Sequence, residues 1–227
     1  MLLKTKGIVL RFVKYKESSV IATIYTLEKG VVSVIANSVR SKNSKGKIAL
    51  FQPLSLIELL IYHNASKNIS RVSEISSYNP LHNLRQDPIK ASISFFITEL
   101  LNKCLKEEEG NPPFYDFIQN SLIHLNEQVK ETENFHLIFL IKFSLFLGFK
   151  PHSTSDFIQQ ISNSSFYTSK ENLSKLNSLL TASYETQLYM TSNFRNTILL
   201  DLVEYYQNHI ELGKINSIEI LHELLHS

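Results

Sequence analysis

The sequence predicts an α+β protein: a small closed or partly open barrel of five strands, followed by an all-helical region. Three observations carry this prediction. Residues 1–80 are short β-branched and aromatic runs separated by polar turns. After Pro80 the apolar residues recur at helical spacing instead. The charge divides at the same place. Residues 1–80 carry twelve Lys/Arg against four Glu and no Asp, a balance of +8, whereas residues 81–227 carry eleven against seventeen Asp/Glu, a balance of −6. Two units are therefore expected, 1–80 and 81–227, a basic one suited to polyanions and an acidic one that is not.

The strands are expected near Thr5–Lys14, Val20–Leu27, Val31–Ala36, Leu54–Tyr62 and Ile69–Ser76. Glu28-Lys29-Gly30 reads as a tight hairpin turn, and His63–Lys67 as a looser one. The first helix opens with Asp87 as N-cap and Pro88 at its first position. Ile89, Ile93, Phe96, Ile97, Leu100, Leu101, Cys104 and Leu105 then form one stripe, running to Glu107. Asn111-Pro112 starts a second helix with Phe114, Phe117, Ile118, Leu122 and Leu125 inward. Phe135–Leu147 is apolar nearly all round, which marks a central buried helix, and Gly148 ends it. Further helices are expected at Asn172–Ala182, Asn193–Ile210 and Ser217–Leu225, with Ser/Asn-rich loops at 37–46 and 162–170.

A chain of 227 residues, 43% apolar and 19% charged, has enough material for a real core and the balance of an ordinary globular protein. The longest apolar stretch, Phe135–Phe149, is broken by His136, Lys142 and Ser144 and is too short to span a bilayer. No apolar run follows the opening lysines, so no signal peptide and a cytoplasmic location are expected. The single cysteine, Cys104, excludes an internal disulfide and any CxxC site; on its apolar stripe it reads as a buried small hydrophobe.

The loop after the third strand carries the most chemistry. Arg40, Lys42, Lys45 and Lys47 fall within eight residues, among Asn37, Ser38, Ser41, Asn43 and Ser44. Cations on flexible stems beside hydroxyl and amide donors suit a phosphodiester backbone, neutralising and hydrogen-bonding it without reading bases. Arg11, Lys14 and Lys16, on and just beyond the first strand, complete the candidate DNA-binding set. Phe12, Tyr15, Tyr25, Phe51 and Tyr62 lie nearby; some could stack on unpaired bases, although core packing is the more ordinary role for each.

One motif argues for an enzyme. His222-Glu223-Leu224-Leu225-His226 matches H-E-x-x-H, in which two histidines one helical turn apart bind zinc and the glutamate acts as general base. A zincin needs a third ligand downstream, and only Ser227 follows. The plainer expectation is a terminal helix whose apolar face is Ile218, Leu221, Leu224 and Leu225. With no Gly-rich phosphate loop, no G-x-S-x-G elbow and no paired carboxylates, neither an enzyme nor a cofactor or metal is expected. The alternatives are a zinc-dependent hydrolase using that motif, and a protein-only adapter whose basic barrel binds an acidic partner.

The stretch "KGIVLRFVKYKESSVIATIYTLEKGVVSVIA" resembles the G-I-V-L-R…Y-x-E-S…T-x-E-x-G opening of the RecO family, bacterial DNA repair proteins that mediate recombination in the RecFOR pathway. "FQPLSLIEL" (Phe51–Leu59), "LGFKP" (Leu147–Pro151) and "SIEILHELL" (Ser217–Leu225) are similar to later family segments. The resemblance implies an N-terminal OB-fold that binds single- and double-stranded DNA and a helical C-terminal domain. It also implies annealing of complementary strands, binding of RecR, and loading of RecA onto single strands coated by the single-strand binding protein SSB. Docking of the C-terminal tail of SSB, acidic and ending in a hydrophobic residue with a free carboxylate, calls for a cation beside an apolar pocket. Lys142, Lys150 and Arg195 are the candidates, each flanked by an apolar helix face. Many relatives carry a four-ligand zinc finger after the L-G-[FY]-x-P helix end. Here His152 and Asp156 stand in that region without a cysteine, so that site is expected to be lost.

Overall fold

The computed structural model describes residues 2–41, 44, 46–63, 68–106 and 109–226, the last without its side chain. Within them five strands, β1 (Leu2–Tyr15), β2 (Ser19–Thr26), β3 (Gly30–Ala36), β4 (Leu56–Tyr62) and β5 (Ser70–Asn79), close a barrel in the order β1-β2-β3-β5-β4. Neighbours are antiparallel except β3 and β5, which run parallel and pair at Val34–Ser70 and Ile35–Arg71. The β2–β3 turn is tight, as expected. Gly30 takes φ +59°, and Thr26 Oγ1 accepts from the Lys29 N–H (3.1 Å) while donating to the Gly30 carbonyl (2.9 Å).

Alternation fills the barrel. Val9, Val20, Ala22, Ile24, Val34, Ile57, Leu59 and Ile61 point inward and are buried, each contributing about 1.5–3 kcal/mol for the larger side chains. Gly7 shares that interior, where an added Cβ would stand 2.5 Å from Ile24 Cγ2. A short 3-10 helix, Lys47–Phe51, inserts the wholly buried Phe51 into the same core.

β1 changes parity midway. Val9 pairs with Ile24 but Arg11 with Thr23, so Leu10 is the extra residue of a β-bulge. A one-residue slip exchanges faces. Strict alternation from the inward Val9 would bury Arg11 and expose Phe12. Instead Arg11 is exposed and Phe12 packs against the core. The bulge leaves a backbone carbonyl to satisfy, and Asn102 Nδ2 donates to Leu10 O at 3.0 Å.

The helices are α1 (Asn83–Gln86), α2 (Pro88–Cys104), α3 (Pro112–Glu127), α4 (Phe135–Phe146), α5 (Thr154–Ile158), α6 (Lys170–Leu180), α7 (Ser192–His209) and α8 (Ser217–His226). Asp87 caps α2 as expected, its Oδ1 accepting from the Ile89 and Lys90 N–H groups (2.9 and 3.1 Å). Two compact units result: residues 1–85 with 98–126, and residues 86–97 with 127–227. Helix α3 thus packs with the barrel. Its Phe114 and Tyr115 rings lie 5.9 and 6.0 Å from Tyr25, and Tyr78 Oη joins Tyr115 Oη (3.1 Å) and Gln119 Oε1 (2.5 Å).

In the second unit α4 is buried nearly all round. Phe135, Phe139 and Phe143 stack along it, and the ring of Phe135 lies 4.5 Å from that of Tyr184. Tyr206 of α7 donates to the Leu140 carbonyl at 2.6 Å. Gly148, at φ +86°, ends the helix as its sequence predicts.

Several boundaries differ from expectation. β4 begins at Leu56 because Leu54 turns back at φ +62° and donates to the Val9 carbonyl at 2.7 Å. β1 and β5 extend to Leu2 and Asn79, where β4 supplies pairing partners. α6 begins at Lys170 because Ser169 accepts from the Asn172 N–H (3.1 Å) as its N-cap. The short helices α1 and α5 and the 3-10 turns have no counterpart among the expected elements. Most of the His63–Lys67 turn lies outside the described residues.

Candidate nucleic-acid interface

At the barrel end that carries the β1–β2 turn, Lys16 and Arg40 come together. Arg11, aimed outward by the bulge, donates from Nε to Thr23 Oγ1 at 3.2 Å. At the turn Lys16 adopts φ +49° and lays its ammonium 5.4 Å from the Tyr15 ring centre. The chain leaving β3 is tied to that turn. Arg40 donates its backbone N–H to the Ser18 carbonyl (2.9 Å) and Nη1 to the Lys16 carbonyl (3.2 Å), and Ser19 Oγ donates to Asn37 Oδ1 (3.1 Å). Lys16 and Arg40 are thereby neighbours although twenty-four residues separate them. Val39, buried beside Arg40, anchors the loop in the barrel core.

Lys14 pairs with the inward Val20 and so shares its parity, opposite to that of Arg11, and it is exposed near the end of β1. Lys47 is exposed at the start of the 3-10 helix, after Gly46 at φ +76°. Lys42 and Lys45 lie outside the described residues.

The five aromatics divide. Tyr25 and Phe51 are wholly buried and Phe12 packs on the core, whereas Tyr15 and Tyr62 are exposed. Arg71, which sequence reasoning missed, is exposed on β5 and paired between Ile35 and Tyr62. Its signal was faint because only one of its two inward neighbours is apolar: Val72 packs on the core, but Ser70 is a buried serine.

In the second unit the three candidate clamps have different surroundings. Lys142 places its ammonium 5.5 Å from the Tyr184 ring centre. Arg195 donates Nε to Asn134 Oδ1 (3.0 Å) and Nη2 to the Met190 carbonyl (3.4 Å), and Asn134 donates to the Leu188 carbonyl (2.7 Å). Its guanidinium braces residues 188–190, and burial lowers its pKa against the opposing pull of Glu133. Lys150 lines a cleft of about 600 Å³ together with Leu145, Phe149, His152, Tyr205 and His209. The cleft wall is fixed: Tyr205 Oη donates to the Phe149 carbonyl at 2.8 Å, and the His209 ring stacks on Phe149 at 4.7 Å.

The motif-bearing residues take ordinary places. Leu221 is buried, while His222 and Glu223 are exposed on α8; the His226 side chain lies outside the described residues. Asp156 accepts from the His152 backbone N–H (2.9 Å) and from Gln160 Nε2 (2.8 Å), at the start of α5. Among the described residues no three His, Cys, Asp or Glu side chains cluster as a metal would require. None of the described helices is long and apolar enough to cross a membrane. Cys104 is half-buried, and burial pushes its thiol up to about 12, which keeps it protonated and unreactive.

Comparison with known proteins covers both halves of the chain. The family described as Recombination protein O N terminal matches residues 1–81, and that described as Recombination protein O C terminal matches residues 85–218. The DNA repair protein RecO of Phocaeicola vulgatus is 36% identical over 240 aligned residues, covering 99% of each chain. Those of Bacteroides fragilis and Flavobacterium psychrophilum are each 32% identical, again over 99% of both chains. A five-stranded barrel followed by helices, matched from end to end in this way, has one consistent assignment: the chain belongs to the recombination protein O (RecO) family.

Proposed function

We propose that the protein is a DNA repair and recombination mediator, not an enzyme, in which residues 1–80 bind single- and double-stranded DNA and residues 81–227 recruit proteins. The observation that carries this reading is the meeting of Lys16 and Arg40 at the β1–β2 turn, with Arg11 exposed on the strand leading to it, on a barrel whose eighty residues have a balance of +8. Such cations neutralise phosphates without reading bases, so both DNA forms bind and sequence matters little. Holding two backbones by their phosphates also screens their mutual repulsion and leaves base edges free, which favours annealing of complementary strands. With RecR as partner, the protein would help load RecA onto single strands coated by SSB, in the cytoplasm. The acidic tail of SSB fits the Lys150 cleft, where the ammonium meets the terminal carboxylate and Leu145 and Phe149 meet the last side chain.

The test is salt dependence. Arg40, Lys42, Lys45 and Lys47, each neutralising one phosphate, together contribute roughly −3 to the log–log salt slope on single strands. Replacing all four with alanine should flatten the slope by about that amount and weaken binding to every sequence alike. An unchanged slope in a folded variant would remove the loop from the DNA site.

A further inference from the structure

We propose that His209 is a second carboxylate-binding group of the Lys150 cleft, one that engages an acidic peptide when its imidazole carries a proton. The proposal rests on the peptide-binding reading of that cleft and adds to it a residue and a pH dependence. Lys150 supplies a fixed charge, and His209 one that pH can withdraw.

The lining of the cleft explains why a second cation is needed. Its permanently charged side chains are Lys150, on the segment after α4, and Asp156, on α5. One lysine against one aspartate leaves the lining without net charge, inside a stretch, residues 81–227, whose balance is −6. A peptide rich in carboxylates is drawn to neither. Net positive charge arises here as the two lining histidines, His152 and His209, protonate, and imidazole is the side chain that changes charge between about pH 5 and 8. Asp156 competes weakly for that charge, because its Oδ2 accepts from the His152 backbone N–H and its Oδ1 from Gln160 Nε2. The remaining titratable group facing His209 is Tyr205, on its own helix.

Geometry separates the two histidines. His209 is the last residue of α7, and its Nδ1 lies 2.8 Å from the Tyr205 carbonyl. A carbonyl oxygen only accepts, so Nδ1 holds the hydrogen and Nε2, across the ring, is the atom that gains a proton. The ring is braced. It stacks on Phe149 at 4.7 Å with 16° between the planes, and lies 4.5 Å from the Tyr205 ring. Tyr205 in turn donates to the Phe149 carbonyl. Because the ring is already ordered, a contact to its Nε2 costs little further side-chain entropy. His152 is exposed and shows no such contacts of its side chain among the described residues.

The experiment follows a labelled aspartate-rich peptide, ending in phenylalanine with a free carboxylate, by fluorescence polarisation from about pH 8 to about pH 6. Its carboxylates titrate near about pH 4 and stay ionised throughout. The parent should bind about fivefold more tightly at the acid end, the upper range for an exposed ion pair. His209→Gln can still donate to the Tyr205 carbonyl but stays neutral, and should hold the weaker affinity at every pH. His209→Arg, planar enough to stack on Phe149 and always charged, should hold the tighter one. His152→Gln should keep the parental dependence, and thermal melts at each pH check that the variants fold. Amidating the peptide's C-terminus, or replacing its aspartates with asparagines, identifies the carboxylate that His209 meets by which change abolishes the dependence. A parental affinity that does not rise on acidification, or a rise that survives His209→Gln, would overturn the proposal and leave the peptide-binding reading intact. So would a dependence that vanishes in His152→Gln. Failure of the parent to bind the peptide at any pH would overturn both.

Discussion

Asn102 controls more than its size suggests. Its amide reaches back 92 positions in sequence to the carbonyl of Leu10, the extra residue of the β1 bulge, and also donates to the Thr98 carbonyl at 2.8 Å. Leu10 is buried, so without Asn102 its carbonyl would lack that partner in a place where water is scarce. Asn102→Ala should therefore cost about 1–3 kcal/mol of unfolding free energy, measured by urea denaturation. The consequence reaches the interface, because the bulge is what turns Arg11 outward and Phe12 inward. A parallel fall in DNA affinity at salt concentrations where the variant remains folded is expected. Stability equal to the parent would show that the bulge needs no side-chain support.

At the scale of elements, α4 concentrates the packing of the second unit and holds one titratable group that its apolar surroundings tolerate only when neutral. His136 is fully buried with its ring edge-on to Phe96 at 6.2 Å. Burial first, and the positive Arg195 after it, lower its pKa from 6.5 to about 3, with the backbone of Glu133 opposing. The sign follows from linkage. Below 6.5 the unfolded chain takes up a proton that the folded chain refuses, so stability falls with pH by about 1.4 kcal/mol per unit until about 3. His136→Leu should remove that component, and urea melts across the window should show the parent losing stability faster than the variant. Parallel curves would mean that the imidazole charges within the fold. The surroundings of α4 were legible in the sequence because twelve consecutive positions are almost all apolar. The long strands and helices were legible for the same kind of reason, since a period needs several repeats to register. α1 and α5, four and five residues long, span too little for any period to show. The bulge was illegible for another reason: it is a property of pairing, and it reverses the parity that alternation alone assigns to residues 11–15. The cations of the 37–47 loop could be counted, but that Arg40 neighbours Lys16 follows only from the tie between the chain leaving β3 and the β1–β2 turn. The sorting of Tyr15 and Tyr62 from Tyr25, Phe12 and Phe51 likewise required the register.

For the whole molecule, the division of charge along the chain predicts that the two proposed kinds of partner, DNA and an acidic peptide, can be separated by mutation. Residues 81–227 have a balance of −6, so an acidic peptide gains nothing from their overall field and must be held by local cations. Of the three candidates, Arg195 is committed to Asn134 and Met190, and Lys142 leans over Tyr184. Lys150 borders a cleft that apolar Leu145 and Phe149 also line, the pairing of charge and pocket that a terminal carboxylate beside a hydrophobic residue requires. Lys150→Ala should weaken an acidic peptide of that kind by about tenfold to a hundredfold, since truncating a charge-assisted contact costs about 1.5–3 kcal/mol. DNA affinity and its salt slope should stay at parental values, because the proposed phosphate contacts lie in residues 1–80. Arg195→Ala is expected to lower the melting temperature more than peptide affinity, because it releases the brace on residues 188–190. Fluorescence polarisation with a labelled peptide, beside anisotropy with oligo(dT), reads both partners on the same preparations. Peptide binding by Lys150→Ala at parental strength would move the carboxylate site out of this cleft, and a matching loss on DNA would show that the two binding functions are not segregated along the chain.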